Sequence, residues 1–217
     1  HIGCVSTDQV IELGYHAKET GADAISAIPP FYYKFSADEI VAHYHAVVDA
    51  VQMPMIAYNM PAMSGVELTP ALLKRLAANR WIAGVKHTSM NLFQLERMKK
   101  VRDDLVIFNG HDEVCLAGLA MGADGAIGTT YNFMAEKFLK LAACVRESRL
   151  EEAFREQESA NTVIEALVQT GVFAGTKYLL WKLKGIECGE CRKPFSPLSK
   201  ESKYLLDQVA ERELIKG

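Results

Sequence analysis

The sequence predicts an α/β protein built of parallel βα units, in the arrangement of a (β/α) barrel. Three observations carry that reading. Short apolar runs alternate with helical patterns from the first residues to Asn132, which is the signature of parallel βα units. Several of those runs are apolar throughout rather than alternating, as strands are when both faces are covered. Polar residues gather at the C-terminal ends of successive runs, where a barrel keeps its chemistry. The steps from Tyr58 to Lys86, Gly110 and Thr129 are 28, 24 and 19 residues, each close to one βα unit.

The expected strands are IGCVS (2–6), DAISAIP (23–29), MIAYN (55–59), IAGVKHT (82–88), LVIFNG (105–110) and DGAIGT (124–129). Helical patterns lie between them. The first runs from an Asp8 cap to Gly21. The second starts at Ser36 with Glu39 three residues on, the spacing of a capping box. The third opens at Thr69 with Pro70 at the first helical position, where the missing N–H costs least. NLFQLERMKKV and EVCLAGLAMGA follow, with Gly21 and Gly122 placed to end helices. From Phe133 onward only helical patterns are found, the last being KESKYLLDQVAERELIKG. No linker or low-complexity stretch divides the chain, so one domain is expected over 1–217, with a partial barrel over 1–132 and helices over 133–217.

A doubly wound sheet would want a glycine-rich phosphate loop after its first strand, and neither GxGxxG nor GxxxxGK[ST] occurs. The better fit is a TIM (β/α)8 barrel, with about six of its eight strands present. His1 stands directly before the apolar IGCV, so an N-terminally truncated barrel is expected.

Composition narrows the function. The chain has 217 residues, a formal net charge of -3, a hydrophobic fraction of 49% and a charged fraction of 24%. No basic excess points to nucleic acid. No apolar run approaches the roughly 18 residues of a membrane span, and no signal-peptide pattern is present. The 5 cysteines are odd in number and scattered, unlike a disulfide framework. Cys188-Gly-Glu-Cys191 is a lone CxxC without the second ligand pair that structural zinc would need. A reducing cytoplasm suits this usage, and no metal is expected.

Lys86 is the residue that asks for a chemical reason. An ammonium near the end of an apolar strand is costly unless it reaches water or loses its proton. With strand alternation, Lys86 shares the barrel-facing side with Gly84 and Thr88, while Val85 and His87 face the helices. Gly84 would leave room beneath the amine. A neutral lysine there is a Schiff-base nucleophile, and Tyr58, one unit earlier, could shuttle its protons. From the pattern alone, a strand-end lysine snorkelling to water serves equally well for Lys86, and an ordinary core tyrosine with a bonded hydroxyl better for Tyr58.

Tyr58-Asn59-Met60-Pro61, Gly84-Val85-Lys86 with Thr88-Ser89, Asn109-Gly110-His111-Asp112-Glu113 and the run Gly122–Asn132 occur in order, with Pro30-Phe31-Tyr32-Tyr33 before and Cys191-Arg192-Lys193-Pro194-Phe195 after. This set resembles the pyruvate-dependent class I aldolases of the N-acetylneuraminate lyase and dihydrodipicolinate synthase family. The likeness covers essentially the whole chain, from the family's third barrel strand. It implies that Lys86 forms a Schiff base with a 2-keto acid, that Tyr58 transfers protons, and that Tyr32 reaches into a neighbouring subunit's site in a homotetramer. It implies substrate contacts from Thr88, Gly110, Asp112, Glu113 and Thr129, to which Phe173 is added. Read without the family, Asp112 and Glu113 could as well be helix-opening acids placed for the dipole.

Met63 stands where the synthases usually carry arginine, and Pro61-Ala62-Met63-Ser64-Gly65 looks like the lyase branch. Methionine cannot make charge-assisted bonds to an acidic substrate. The resemblance therefore implies cleavage of N-acetylneuraminate to N-acetylmannosamine and pyruvate, with no dissociable cofactor. The family's Gly-Gly-Ser/Thr-Thr-Gly-Glu carboxylate loop follows its second strand and has no counterpart here; Gly128-Thr129-Thr130 is a different segment.

Overall fold

A computed structural model describes residues 1–215. The chain divides into two compact units: His1–His111 with Ala117–Ala126, and Asp112–Leu116 with the chain from Ile127 onward.

The first unit holds a parallel sheet. Its elements are α1 (Thr7–Glu19), β1 (Ile25–Ala27), α2 (Ala37–Val51), β2 (Met55–Asn59), α3 (Pro61–Ser64), α4 (Pro70–Leu76), β3 (Ile82–His87), α5 (Leu92–Met98), β4 (Val106–Asn109) and β5 (Gly125–Ala126). The strands lie in the order β1-β2-β3-β4-β5, and every pair is parallel. Chain neighbours are sheet neighbours throughout, as in a singly wound barrel; a doubly wound sheet would reverse its order.

Five strands form among the described residues, not six. The IGCVS run makes one ladder-like bond, from Ile2 N–H to the Ser26 carbonyl at 2.8 Å, and a single bond does not make a strand. Ile2 is still buried in the core. The first helix is capped by Ser6 rather than Asp8. Ser6 has extended backbone, and its hydroxyl accepts from Gln9 N–H, while Asp8 sits in the first turn where a carboxylate suits the dipole.

The other caps form as their spacing predicts. Ser36 and Glu39 make the reciprocal capping box, and the two bonds from Ser36 hold the Glu39 carboxyl below the usual carboxylate range. Thr69 caps α4 with Pro70 in its first turn. Gly21 and Gly122 take the left-handed backbone that follows a helix end, at φ 83° and 95°.

The helix-covered side of the sheet is the core. Ile25, Ala27, Met55, Ala57, Val85 and Ile107 pack there against Val47, Val48, Leu73, Leu76, Leu95 and Met98. Tyr44 is wholly buried in α2 and donates its hydroxyl to the Ala27 carbonyl at 2.8 Å, which ties that helix to β1.

The second unit is helical. A 3₁₀ turn (Asp112–Val114) opens into α6 (Cys115–Ala120), within which the chain passes from one unit to the other. Then come α7 (Tyr131–Arg146), α8 (Leu150–Thr170), α9 (Val172–Lys184), α10 (Lys200–Ala210) and a π-helical turn (Glu211–Ile215). Gly175 lets α9 approach α8 closely, since a Cβ there would meet Leu167 Cδ2 at 2.6 Å. The expected tail helix extends to Gly217, and Lys216 and Gly217 lie outside the described residues. No helix among the described residues is long and apolar enough to cross a membrane.

Two substitutions should separate the energetic roles of this core. Leu73→Ala removes a fully buried side chain and should cost about 2–5 kcal/mol. Tyr44→Phe leaves one carbonyl without its partner and should cost about 1–3 kcal/mol. Urea denaturation of the three proteins measures both.

Candidate active site

Lys86, Tyr58, Tyr32, Thr88 and Gly110 belong to the first unit; Asp112, Glu113, Thr129 and Phe173 belong to the second.

In the first unit the register of β2 on β3 decides the geometry. Met55 pairs with Ile82, but Ile56 pairs with Gly84, so Ala83 is passed over. Beyond this bulge Tyr58 stands level with Lys86. Opposed residues in a ladder share a face, and the Lys86 ammonium lies over the Tyr58 ring, 4.3 Å from its centroid. The Tyr58 hydroxyl donates to Met60 Sδ at 3.1 Å, and His1 meets the Tyr58 ring edge-on at 6.1 Å. The expected pair is thus brought together, with the amine on the ring face and the hydroxyl turned toward Met60.

Lys86 and Tyr58 are half-buried, as are Ile56, Val106 and Phe108 on the same face. Val85 and His87, on the other face, are fully buried. The expected alternation holds. The reason for Gly84 differs from the expected one. A Cβ at Gly84 would fall 2.1 Å from the Val106 carbonyl oxygen, so the glycine admits the backbone of β4 rather than opening space under the amine.

Below this face lies a chain of buried polar groups that sequence reasoning did not assign. The Asn59 amide donates to His87 Nδ1 at 2.9 Å, and its oxygen accepts from Leu68 N–H at 3.0 Å. With Nδ1 accepting, His87 Nε2 donates to the Asn91 carbonyl at 3.1 Å. The strand ends of β2 and β3 are thereby stapled to each other and to the start of α5. Burial lowers the His87 pKa, the Asn91 carbonyl and Glu67 raise it, and His111 lowers it. The signal was available: Asn59, His87 and Asn109 are polar residues at helix-facing positions of three successive strands, where apolar ones are the rule.

Thr88 and Gly110 also meet. Thr88 N–H bonds the Asn59 carbonyl and Gly110 N–H bonds the His87 carbonyl, at 2.8 and 2.9 Å. The Thr88 hydroxyl is buried and makes no hydrogen bond among the described residues. A Cβ at Gly110 would fall 1.9 Å from it, so only glycine leaves that hydroxyl its place. Tyr32 stands apart, 86% exposed, with φ of 80° and its ring edge-on to Tyr33. That left-handed backbone is unusual for an aromatic residue.

In the second unit Asp112 is buried. Its Oδ2 accepts from the Thr130 N–H and hydroxyl at 2.9 and 2.7 Å, and Thr130 is the N-cap residue of α7. The carboxylate rests on Gly128, where a Cβ would overlap it. Glu113 and Thr129 are half-buried. The Thr129 carbonyl accepts from the Asn132 amide at 2.8 Å. Burial pushes the neighbouring Cys115 thiol up to about 11 and raises the Tyr131 phenol as well. Phe173 is half-exposed and packs edge-on against Phe195 at 5.3 Å. Cys188 and Cys191 are free thiols, and no group of three His, Cys, Asp or Glu able to hold a metal ion occurs among the described residues.

The model of the dihydrodipicolinate synthetase family matches residues 1–213. The chain belongs to this family. Among its relatives, the N-acetylneuraminate lyase of Rhizobium meliloti (strain 1021) is 47% identical over 195 residues, covering 90% of this chain and 64% of the relative. The N-acetylneuraminate lyase of Escherichia coli is 41% identical over 206 residues, covering 94% and 69%. The crystal structure of CdNal from Clostridium difficile in complex with mannosamine superposes with a TM-score of 0.94 at 32% identity, over 98% of this chain and 73% of that one. The chain thus spans about two thirds of the length of the curated relatives it matches. Its parallel α/β architecture is that of the family's barrel.

The staple predicts a pH dependence. The unfolded chain takes up a proton on histidine at about pH 6.5, while His87 in the folded protein takes one up less readily because burial lowers its pKa. The unfolded state then binds more protons, so stability falls as pH drops from about 7 toward 5. His87→Gln should flatten this decline in urea midpoints measured across that range. His43, also lowered by burial, leaves a residual slope.

Proposed function

We propose that the protein is a class I aldolase that cleaves N-acetylneuraminate to N-acetylmannosamine and pyruvate. The observation that carries the reading is Lys86 over the face of Tyr58, on the open face and at the C-terminal end of neighbouring parallel strands. A lysine nucleophile, a phenol beside it and the Thr88 hydroxyl, which has no partner among the described residues, are the groups that imine chemistry uses.

The Lys86 amine adds, as the free base, to the C2 ketone of the open-chain sugar acid. The carbinolamine loses water, leaving a protonated imine on Nζ. A base takes the proton of the C4 hydroxyl, and the C3–C4 bonding pair moves into the iminium. The products are a free aldehyde and an enamine. Protonation at C3 and addition of water release pyruvate and return the amine. Tyr58 is the relay for these protons, and Thr88 positions the substrate against it. Because the iminium is the electron sink, the mechanism calls for no metal or dissociable cofactor. The Lys86 amine rests over the face of the Tyr58 ring, 4.3 Å from its centroid.

Asp112, Glu113, Thr129, Gly110 and Phe173 are assigned to the sugar, on family membership and on the lyase-like Pro61-Ala62-Met63-Ser64-Gly65 turn. Met63 is 75% exposed and offers no cation to a second carboxylate. That turn and the curated relatives favour the lyase reaction over the synthase one. A homotetramer in the cytoplasm, with Tyr32 crossing an interface, completes the proposal; the exposure of Tyr32 and its left-handed backbone are consistent with an element that is completed by a neighbour.

Treatment with pyruvate and borohydride should add one reduced pyruvyl group, read by intact mass and absent from Lys86→Ala. Tyr58→Phe should keep the adduct but lower turnover of N-acetylneuraminate by about 10²-fold or more. An adduct with turnover only of another aldehyde would move the protein to another branch. No adduct on folded protein would sink the reading.

A further inference from the structure

Helix α8 buries an amide where its own pattern demands an apolar side chain. Ala153, Ala160, Val163, Ala166 and Leu167 form its buried face, and Gln157 sits among them with 7% exposure. A glutamine in that position is costly unless its polar atoms are matched. Here they are matched to a single target. Gln157 Oε1 accepts from Leu116 N–H at 2.8 Å. Its Nε2 donates to the Asp112 carbonyl at 3.0 Å and to Asn161 Oδ1 at 2.9 Å. Asn161, one turn on, donates from Nδ2 to the Glu113 carbonyl at 3.1 Å.

These four bonds define the amide orientations. Flipping Gln157 would set N–H against N–H at Leu116 and oxygen against oxygen at Asp112. Flipping Asn161 would do the same at Gln157 and Glu113. The pair therefore holds the backbone of residues 112–116 at three points, from an element more than forty residues away in sequence. What it holds is the turn that carries Asp112 and Glu113. Neither amide need touch a ligand to decide where those two carboxylates stand.

We infer that Gln157 and Asn161 are positioning residues that set the specificity of the acidic turn for a polyhydroxylated aldehyde. The inference rests on the aldolase reading, in which Asp112 and Glu113 meet the sugar. Carboxylates bind hydroxyls through bonds that are sensitive to small displacements. Loosening the turn should therefore weaken recognition of the aldehyde portion, while imine formation on Lys86, a step of the other unit, proceeds as before. A glutamine and asparagine at i and i+4 of one helix suit this task because together they present two donors to carbonyls and one acceptor to an N–H.

The test uses Gln157→Leu, which removes every bond of the amide, and two near-isosteric changes. Gln157→Glu keeps the acceptor for Leu116 and loses the donor to Asp112. Asn161→Asp keeps the acceptor for Gln157 and loses the donor to Glu113. Each protein is assayed for pyruvate trapping with borohydride and for condensation of pyruvate with N-acetylmannosamine. The expected result is an unchanged half-saturating pyruvate concentration in trapping. KM for N-acetylmannosamine should rise about tenfold in Gln157→Leu and several-fold in the other two, with kcat changing less. If Gln157→Leu does not fold, the two near-isosteric variants carry the comparison alone. Variants that trap pyruvate normally and keep the parental KM for the aldehyde would overturn the inference, as would an equal loss in trapping, KM and kcat. A parent that traps no pyruvate overturns the aldolase reading first, and the positioning role with it.

Discussion

One register shift organises the face that carries Lys86 and Tyr58. Strand side chains alternate with a period of two, so a slip of a single residue moves every side chain to the other face of the sheet. Had β3 continued on β2 as it begins, from Met55 opposite Ile82, Tyr58 would stand opposite Val85. The passed-over Ala83 corrects this by one residue. Lys86 then comes level with Tyr58, and both point away from the helices. Gly84 follows the bulge, and the Val106 carbonyl occupies the space where a side chain would begin. Bulge and glycine together let three strands converge where the amine is held. Bulges beside active sites often re-aim a side chain in this manner.

The shift would be of little use if the strand ends could drift. The Asn59–His87–Asn91 chain prevents that from the helix side. Each of its hydrogen bonds leaves a residue adjacent to a reactive one: Asn59 follows Tyr58, and His87 follows Lys86. Burial disfavours the charged imidazole, and a neutral ring with Nδ1 accepting and Nε2 donating is the tautomer that can link both partners. The backbone bonds of Thr88 and Gly110 extend the same row. The reactive face thus owes its geometry to polar groups on the opposite face, where low dielectric makes a matched hydrogen bond strong and an unmatched one costly.

Much of this was legible in the sequence, and the limits are physical. The βα alternation, the caps at Ser36 and Thr69, and the helices after Phe133 are local signals, and they read correctly. Lys86 and Tyr58 stand out because polar groups at strand ends break an apolar pattern, whereas Thr88 and Gly110 were singled out through the family resemblance. IGCVS misled because an apolar run specifies burial but not a partner for its backbone, and Ile2 is buried without a strand. Gly84 was singled out for the wrong reason, since its neighbour is the backbone of β4, a long-range approach that no spacing encodes. The bulge at Ala83 leaves no trace in residue type. Gln157 left a trace, a polar residue on an apolar helical stripe, but its partners at 112 and 116 could not be inferred from periodicity.

The two units place different demands on their residues. In the proposed reaction, imine chemistry needs one amine whose surroundings are fixed in register, and a parallel sheet with polar staples would supply that with little freedom to vary. Selecting an aldehyde needs carboxylates whose positions can change without disturbing the amine. Asp112 and Glu113 stand on a short 3₁₀ turn with one carboxylate anchored to Thr130 and the backbone anchored to α8. A helix can exchange one amide for another and shift such a turn by fractions of an ångström. A family that keeps one covalent mechanism while changing its aldehydes would be expected to vary at such supports as well as at the groups that touch the substrate. If Asp112 and Glu113 meet the sugar as proposed, the acid pair alone is an incomplete description of specificity, because the same two carboxylates on a differently anchored turn would present a different set of hydrogen bonds.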